Sequence, residues 1–580
     1  MIKFLIGVAI GICVAVVVAV IVVFAVARVG ERPVSVADGS VLVLKLEGDI
    51  PERAPVDLPI PFFQGRAPLT VKEVWDLLRK SAADSRIQAI VLEPAGVNAG
   101  WAKLQEIRGS IEKFKKSGKP VIAFLRTPGT REYYLATAAD RIYMAPEDYL
   151  NVKGLRMELM FLRRTLDKLG VNVEILHAGK YKDFGDTFTR TSMTAETREV
   201  LDSVLDDLYA HLIGTIASSR KKTPEEVRAL LDEGPFLSNQ ALPAGLVDAL
   251  LYEDQVFGEL KKRLKASEDP EKVSAREYAR ITPASLGLEG GPRIAYVVGE
   301  GGITRGDSGD NGISGPDGIG SEGFSRLLRR VKEDDKIRGV IVRIDSPGGD
   351  SFASDEIWRE MNLLSKKKPT VISMSDAAAS GGYYISMTGD PVIAYPGTFT
   401  GSIGVVFGKA NLRGLYDKLG IDKQMLTRGR FADIDTDYTP MTEAQRQKLR
   451  HGIDENYRAF VAKVAEARKR PFEEIEPLAQ GRVWLGSQAR ERGLVDELGG
   501  LDLALTRLKE KAGIGAEEKV TLVSYPPRRS LIEVLFGQTP SLFESSMNWL
   551  GPLKAIKGWD TALWMKGGMM RLMPYRIEVY

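Results

Sequence analysis

The chain repeats part of its own sequence at a fixed distance, and this repeat constrains its fold more than any other feature. YYLATAADRIYMAPEDYLNVKGL begins at Tyr133, and YYISMTGDPVIAYPGTFTGSIGV begins at Tyr383, which is 250 residues later. GLVDAL at Gly245 and GLVDEL at Gly493 keep nearly the same spacing. A register shared over about 200 residues indicates a duplicated domain, because the repeats of a solenoid are only about 20–50 residues long.

Within each copy, short β-branched runs alternate with helical patterns. In the first copy, the run at residues 89–92 is followed by a helical pattern over 101–116 and then by PVIAF. In the second copy, the run at 340–344 is followed by a helical pattern over 355–367 and then by TVISM. The alternation predicts an α/β fold whose strands are largely parallel and joined by right-handed crossovers.

Composition shifts predict five segments along the chain. Residues 4–27 form an apolar run, residues 39–266 the first domain and residues 293–525 the second. Residues 267–292 are polar and contain glycine and proline, which is typical of a linker. Residues 526–580 form a tail with tryptophans and methionines, which we expect either to contact a membrane or substrate path or to pack between domains or subunits.

The apolar run at residues 4–27 is uncharged and lies between Lys3 and Arg28. It exceeds the roughly 20 residues that a helix needs to cross a bilayer. A cleaved signal peptide is the alternative, because residues 25–27 read AVA, but the apolar region of such a peptide is only about 7–15 residues long. We therefore expect one N-terminal transmembrane helix, whose flanking charges do not determine its orientation.

Charge and composition argue against several classes of protein. The 80 basic and 77 acidic residues nearly balance, so the chain has no electrostatic signature of a nucleic-acid binder. One cysteine excludes an intramolecular disulfide framework, and three histidines form no HExxH or zinc-finger spacing. We expect no metal and no organic cofactor.

The two copies differ at residues that suit chemistry. In SDAAASGGYY, Ser380 follows the predicted strand TVISM, which places its hydroxyl at a strand-to-helix turn beside unpaired backbone N–H groups. The first copy has Thr130 at the matching position and Arg131 and Glu132 in place of the Gly-Gly pair. Ser380 is therefore a candidate nucleophile that only the second copy carries.

Other positions also differ between the copies, in both directions. IDSPGGD contains Gly348 and Gly349, whose backbone N–H groups suit an oxyanion, and the first copy lacks this pair. AGKYKDFGD carries Lys182 in the first copy, where the second has Ala432. Each copy keeps what the other lacks, so the two are expected to form one Ser-Lys site at their interface.

Lys182 must be neutral to act as a base. Its neighbours Tyr181 and Phe184 are apolar enough to desolvate the amine and lower its pKa. Lys180 is the competing candidate, but the second copy keeps a cation there, Arg430, so a structural role is expected for it.

These residues resemble the signal peptide peptidases of the long, duplicated type, also called protease IV. The motifs are SPGGD, AASGGYY, TGSIG, the GKYK block and QGRVW followed by GLVDELGG. The resemblance implies two tandem ClpP/crotonase-like domains, no cofactor and a ring-like homotetramer. It also implies degradation of signal-peptide remnants at the outer face of a bacterial inner membrane.

Carried over to this sequence, the resemblance makes Ser380 the nucleophile and Lys182 the general base. Gly348, Gly349 and Gly381 become the backbone groups that contact the oxyanion and the substrate, and the Ser402 hydroxyl becomes the group that orients the lysine. These assignments are expectations that follow from the family.

Alternatives to this interpretation stay open at this point. His451 follows Ser380 in an order that fits a Ser-Asp-His hydrolase, although it falls in a predicted solvated helix. A crotonase-fold acyl-CoA hydratase or isomerase would use a similar oxyanion pair, and an inactive membrane scaffold could retain the fold without the activity. The glycine-rich stretch 299–323 has no phosphate-loop or calcium-loop spacing, and we expect a surface loop there.

Overall fold

The computed structural model describes residues 36–54, 68–307, 318–527, 568–573 and 579, together with residues 7, 11 and 14. The predicted membrane span at 4–27 therefore lies, apart from three positions, outside the described residues, as do most of the tail and part of the glycine-rich stretch. Within the described part of the chain, no helix combines the length and the apolar character that crossing a bilayer requires.

The described part of the first copy contributes nine strands, most of them short. They are β1 (Ser40–Asp49), β2 (Ile87–Asn98), β3 (Val121–Leu125), β4 (Arg141–Met144), β5 (Tyr149–Leu150), β6 (Asn172–Ala178), β7 (Phe236–Leu237), β8 (Ala249–Leu250) and β9 (Lys272–Ser274). Six of them form a sheet in the order β8-β4-β3-β2-β1-β9, in which every pairing is parallel. The runs predicted at 89–92 and PVIAF lie in β2 and β3.

The second copy repeats this arrangement. Its described strands, with the C-terminal β22, are β10 (Arg293–Glu300), β11 (Ile303–Thr304), β12 (Ile319–Gly320), β13 (Ile337–Ser346), β14 (Gly348–Asp350), β15 (Thr370–Ala379), β16 (Val392–Ala394), β17 (Phe399–Gly401), β18 (Val405–Asn411), β19 (Val483–Leu485), β20 (Glu497–Leu498), β21 (Thr521–Tyr525) and β22 (Gly568–Leu572). The order β19-β17-β15-β13-β10-β21 is parallel except between β17 and β19, and β16 and β20 extend from β15. The α/β fold class and the duplication are thus confirmed.

Helices cover the sheets. Those of the first copy are Val71–Ala83, Trp101–Lys115, Thr130–Ala136, Arg163–Leu169, Asp186–Thr189, Ala195–Arg220, Pro224–Glu233, Ser238–Ala241, Glu253–Leu264 and Ala275–Ala279. Those of the second copy are Ser321–Glu333, Ser351–Lys367, Gly381–Ile385, Arg413–Leu419, Glu443–Arg468, Phe472–Ile475, Gly486–Glu491 and Leu501–Ala512.

Matching contacts in the two copies show how closely the structure is repeated. The helices Ala195–Arg220 and Glu443–Arg468 are both 26 residues long, and each begins after a threonine whose side chain accepts a backbone N–H. The Tyr133 hydroxyl donates to the Leu246 carbonyl at 2.8 Å, and the Tyr383 hydroxyl donates to the Leu494 carbonyl at the same distance.

The segment expected to be a linker is partly built into the first copy. Within residues 267–292, β9 pairs in parallel with β1, just as β21 pairs with β10 in the second copy. Tyr278 follows β9; its ring is fully buried, and its hydroxyl donates to Asp84 at 3.0 Å. The sequence did not indicate this pairing, because a three-residue strand is too short to show a pattern.

A third sheet joins the two copies. Its order is β12-β11-β14-β22-β18-β6, so β6 of the first copy pairs antiparallel with β18 of the second along all seven residues of each strand. Hydrogen bonds between these two strands fix the orientation of the loop that follows β6, and this loop carries Lys182.

A buried ion cluster also crosses between the copies. Arg343 on β13 contacts Glu52 at 2.8 Å and Glu106 at 2.7 Å, and all three side chains are at most 4% exposed. Beside it, Lys103 of the first copy lies 2.8 Å from Asp345 of the second. Removing one member of such a cluster leaves a buried charge without compensation, which is strongly destabilising.

Arg343→Met should therefore lower the free energy of unfolding by about 3–5 kcal/mol, because Glu52 and Glu106 would lose their shared cation. Urea unfolding followed by circular dichroism measures this. Arg338 lies on the same strand with an exposed side chain, so Arg338→Met is the control and should change the free energy by no more than about 0.5 kcal/mol. Equal effects of the two variants would contradict the role of the cluster.

Candidate active site

Ser380 lies at the turn between β15 and the helix Gly381–Ile385. Its backbone has φ +53° and ψ −111°, which is outside the regions that serine normally adopts. The Ser380 N–H donates to the Gly401 carbonyl at 2.8 Å, and the residue is fully buried. The strand-to-helix turn expected for this serine is present.

Lys182 reaches the same place from the first copy, in the loop after β6. This loop lies against residues 480 and 481 of the second copy, where the Tyr181 N–H donates to the Gln480 carbonyl at 2.8 Å. Gly481 has φ +76°, and a Cβ added to it would lie 2.6 Å from the Lys182 Cβ. Only glycine therefore fits where the second copy presses against the lysine backbone.

The amine of Lys182 is buried and lies within hydrogen-bond distance of three oxygen atoms. Its Nζ lies 2.8 Å from Ser380 Oγ, 2.9 Å from the Ser402 carbonyl and 2.9 Å from Ser402 Oγ. A neutral amine has two N–H donors and one lone pair. It can donate to both Ser402 oxygens and accept the Ser380 hydroxyl proton, so the contacts match the neutral form.

Burial favours that neutral form. The Lys182 side chain is 0% exposed, and this burial lowers the pKa of its amine well below the usual value, although Asp183 opposes the shift. The charge of Arg571 lowers the same pKa further. Besides Ser380 and Ser402, Gly404 comes close: a Cβ there would lie 3.0 Å from the Lys182 Cδ.

Tyr181 and Phe184, which were expected to desolvate the lysine, also contact other residues. The Tyr181 hydroxyl donates to the Glu199 carboxylate at 3.3 Å, and the ring of Phe184 packs edge-on against Phe188. Gly404 and Gly481 of the second copy also lie against the lysine side chain, and sequence reasoning had not assigned them to its surroundings. Gln480 and Gly481, which both have positive φ, belong to the QGRVW motif, so part of the surface beside the lysine lies in a motif of the sequence.

The competing candidates lie elsewhere. The Lys180 side chain is exposed, and His451 is an exposed residue of the helix Glu443–Arg468, whereas Ser380 is fully buried. The structure thus brings Ser380 together with Lys182 and Ser402.

The three candidate backbone glycines play different parts. The Gly348 N–H donates to Ser346 Oγ at 3.1 Å. Gly381 begins the helix 381–385, and an N–H group in the first turn of a helix has no partner within that helix. Gly349 lies on β14, where it pairs with Arg571 of β22.

Arg571 is a neighbour of this site that sequence reasoning missed. A Cβ added to Gly348 would overlap the Arg571 carbonyl oxygen, and one added to Gly381 would lie 3.1 Å from it. The tail carries no alternating pattern that predicts a strand at residues 568–572, so no signal in the sequence indicated this contact.

Comparisons with known proteins relate the sequence to a family of peptidases. The sequence model of the Peptidase family S49 matches twice, at residues 113–267 and 362–515, once in each copy. The chain is 35% identical to the chloroplastic serine protease SPPA of Arabidopsis thaliana over 512 residues, which is 87% of this chain and 74% of the relative. It is 30% identical to protease 4 of Salmonella typhi over 76% of this chain and 72% of the relative.

Similarity to solved structures is weaker. ClpP1 from Listeria monocytogenes aligns with 36% of this chain and 91% of its own, at 15% identity and a TM-score of 0.22. The α/β class therefore rests on the sheets described above. Because the two family matches together span more than half of the sequence and the relatives extend over most of it, the chain belongs to peptidase family S49 and is a serine protease with two copies of the family's domain.

Proposed function

We propose that the chain is a membrane-anchored endopeptidase in which Ser380 is the nucleophile and Lys182 the general base. The observation that carries the proposal is the 2.8 Å contact between Lys182 Nζ and Ser380 Oγ, made between two fully buried side chains from different copies. A buried lysine beside a serine hydroxyl, without a carboxylate in hydrogen-bond contact with its amine, has the environment that a lysine base needs.

In the first step, Ser380 Oγ attacks a peptide carbonyl while Lys182 Nζ accepts the hydroxyl proton. The carbonyl oxygen becomes negative and is stabilised by backbone N–H groups, for which Gly349 and Gly381 are the proposed donors. Lys182 then gives its proton to the leaving amine, and a water molecule hydrolyses the ester by the same route in reverse.

Ser402 is proposed to position the base. It accepts both N–H groups of the neutral amine through its carbonyl and hydroxyl oxygens, at 2.9 Å each, and so directs the lone pair at Ser380. Ser402 itself has φ +49°, a conformation that few serines adopt and that brings both oxygens to the same side.

The substrates proposed are signal-peptide remnants and other unfolded apolar peptides, and the reaction needs no metal or organic cofactor. The apolar run at residues 4–27 supports a single-pass membrane anchor. A bacterial inner membrane, with the catalytic copies on its outer side, is proposed from the resemblance to the signal peptide peptidases. A homotetramer, which the sequence resemblance implies, is part of the same proposal. For the domains, we propose that the first copy extends through the strand at 272–274 and the residues that pack beside it.

Lys182→Arg should be as inactive as Lys182→Ala, since a guanidinium stays protonated at accessible pH. The loss expected for a missing general base is about 10²–10⁴-fold. Hydrolysis of casein, with Ser380→Ala as the blank, and labelling of Ser380 by a fluorophosphonate measure it. Lys180→Ala is the matched control and should keep its activity, because Lys180 is exposed; a hydratase or a scaffold would give no label and no hydrolysis in any variant.

The pH dependence should follow the amine of Lys182. Since burial lowers its pKa well below 10.5, the amine is protonated and inactive below the lowered value and becomes neutral above it. The kcat/KM for a peptide should therefore rise with pH through the lowered value and then level off. A rise of kcat/KM centred at about 10.5 would point to a solvated lysine. A rise centred at about 6.5 that disappears in His451→Ala would point to the histidine instead.

Gly481→Ala should abolish most activity without unfolding the protein, because the added Cβ would push the Lys182 backbone away from Ser380. Gly420→Ala is the matched control: Gly420 has a similar φ of +70°, and nothing lies within 4 Å of a Cβ added there. Both variants should lose stability through backbone strain, and Gly481→Ala should lose more because its Cβ also meets the Lys182 backbone. Thermal unfolding shows that both variants are folded at the temperature of the casein assay. Equal activity of the two variants would contradict this role for Gly481.

A further inference from the structure

The strand that leads to Ser380 bulges just before it reaches this residue. β15 advances from residue 374 to residue 378 where its partner β13 advances only from 344 to 346. The extra residues lie at 375–377, which we call the bulge. Bulges change the direction of a strand and its side chains, and they are common beside active sites.

The first copy holds both ends of the bulge. At one end, Ser375 Oγ donates a hydrogen bond to the carboxylate of Glu52 in the first copy. At the other end, the Ala377 N–H donates to Asp345 Oδ1 at 3.0 Å, and the second oxygen of Asp345 lies 2.8 Å from Lys103 Nζ of the first copy. The shape of the bulge therefore depends on contacts that cross between the copies.

The middle residue of the bulge, Asp376, caps a helix of the first copy. Its carboxylate accepts the Gly100 N–H at 2.8 Å and the Lys103 N–H at 2.9 Å. Gly100 is the N-cap of the helix Trp101–Lys115, and a glycine has no side chain that could accept these groups itself. A carboxylate at this end of a helix is also favoured by the helix dipole. The helix thus takes its cap from the strand that carries the nucleophile.

The second copy caps its matching helix locally. Asp350 stands 250 residues after Gly100, and its carboxylate accepts the N–H groups of Phe352 and Ala353, both at 2.9 Å. The first copy has no room for such a residue, because a Cβ added to Gly100 would overlap the Asp376 carboxylate. One copy therefore uses a cap of its own, and the other uses a cap that crosses between the copies.

Resting on the proposed function, we propose that Asp376 is a positioning residue, which fixes the bulge against the first copy and thereby places Ser380 beside Lys182. Only Ala378 and Ala379 lie between the bulge and Ser380, and their extended backbone pairs with β17. A shift of the bulge would therefore move along the strand to the nucleophile. A displacement of about 1 Å in a reacting group can cost about 10²-fold in rate.

Variants that move the cap from one copy to the other test the proposal. Asp376→Ala removes the cap. Gly100→Asp combined with Asp376→Ala gives the helix a local cap like Asp350, in the space that the removed carboxylate leaves free. Titration of Ser380 with a fluorophosphonate counts the active sites, so peptide hydrolysis gives kcat per titrated site. This separates a displaced nucleophile from a smaller folded fraction, and thermal unfolding gives the Tm.

Asp376→Ala should lower the Tm, and it should lower kcat per titrated site by about tenfold or more while KM changes little. The double variant should regain Tm but not kcat, because its helix is capped and its bulge is still free of the first copy. A double variant that regains both would overturn the proposal, since Asp376 would then only cap the helix. If the alanine variants do not fold, Asp376→Asn, which keeps one acceptor oxygen, decides: the kcat of the wild type in this variant would overturn the proposal.

Asp248→Ala is the matched control. Asp248 accepts the Ile142 N–H at 2.7 Å and pairs with Arg220 at 3.1 Å, all within the first copy. Its loss should lower the Tm and leave kcat per titrated site unchanged. An active, labelled wild type together with an unchanged kcat in Asp376→Ala would overturn this proposal alone. A wild type that is neither labelled at Ser380 nor active would overturn the proposed function instead.

Discussion

The contact between the amine of Lys182 and the hydroxyl of Ser380 is the interaction on which the rest of the arrangement depends. A lysine is useful as a base only when it is neutral, and burial is what makes it so. Neither copy alone could bury it, because the groups packed around the amine belong to the second copy and the lysine belongs to the first. The β6–β18 pairing and the ion cluster around Arg343 both cross between the copies, and we propose that they hold Lys182 and Ser380 in contact.

The site also depends on backbone conformations that cost free energy. Ser380 and Ser402 both have positive φ, and residues held in such conformations persist only where surrounding contacts impose them. Here those contacts include the Gly401 carbonyl, which accepts the Ser380 N–H, and the Arg482 carbonyl, which accepts the Ser402 N–H. These contacts thus offset the free-energy cost of the positive φ angles at the two serines.

The sequence predicted Ser380 and Lys182 as partners because each residue is kept in only one of two otherwise similar copies. It did not indicate that the Gly348 N–H donates to Ser346 Oγ, because the SPGGD motif gives the residue types and not the backbone conformation that directs each N–H. Arg571 was missed for a related reason: it pairs with Gly349, which is more than 200 residues away, and strand pairs so distant leave no local signal. The three-residue β9 was too short to interrupt the polar stretch around it.

Duplication on a single chain has a consequence for how the site assembles. If the two copies were separate subunits, each active site would form by a bimolecular encounter and would be lost on dilution. The chain that connects them makes docking unimolecular, with an effective concentration set by a connection partly folded into the first copy. The proposed site can then form within one chain at any concentration. The surfaces of the two copies can also differ, because neither copy has to pair with an identical copy of itself.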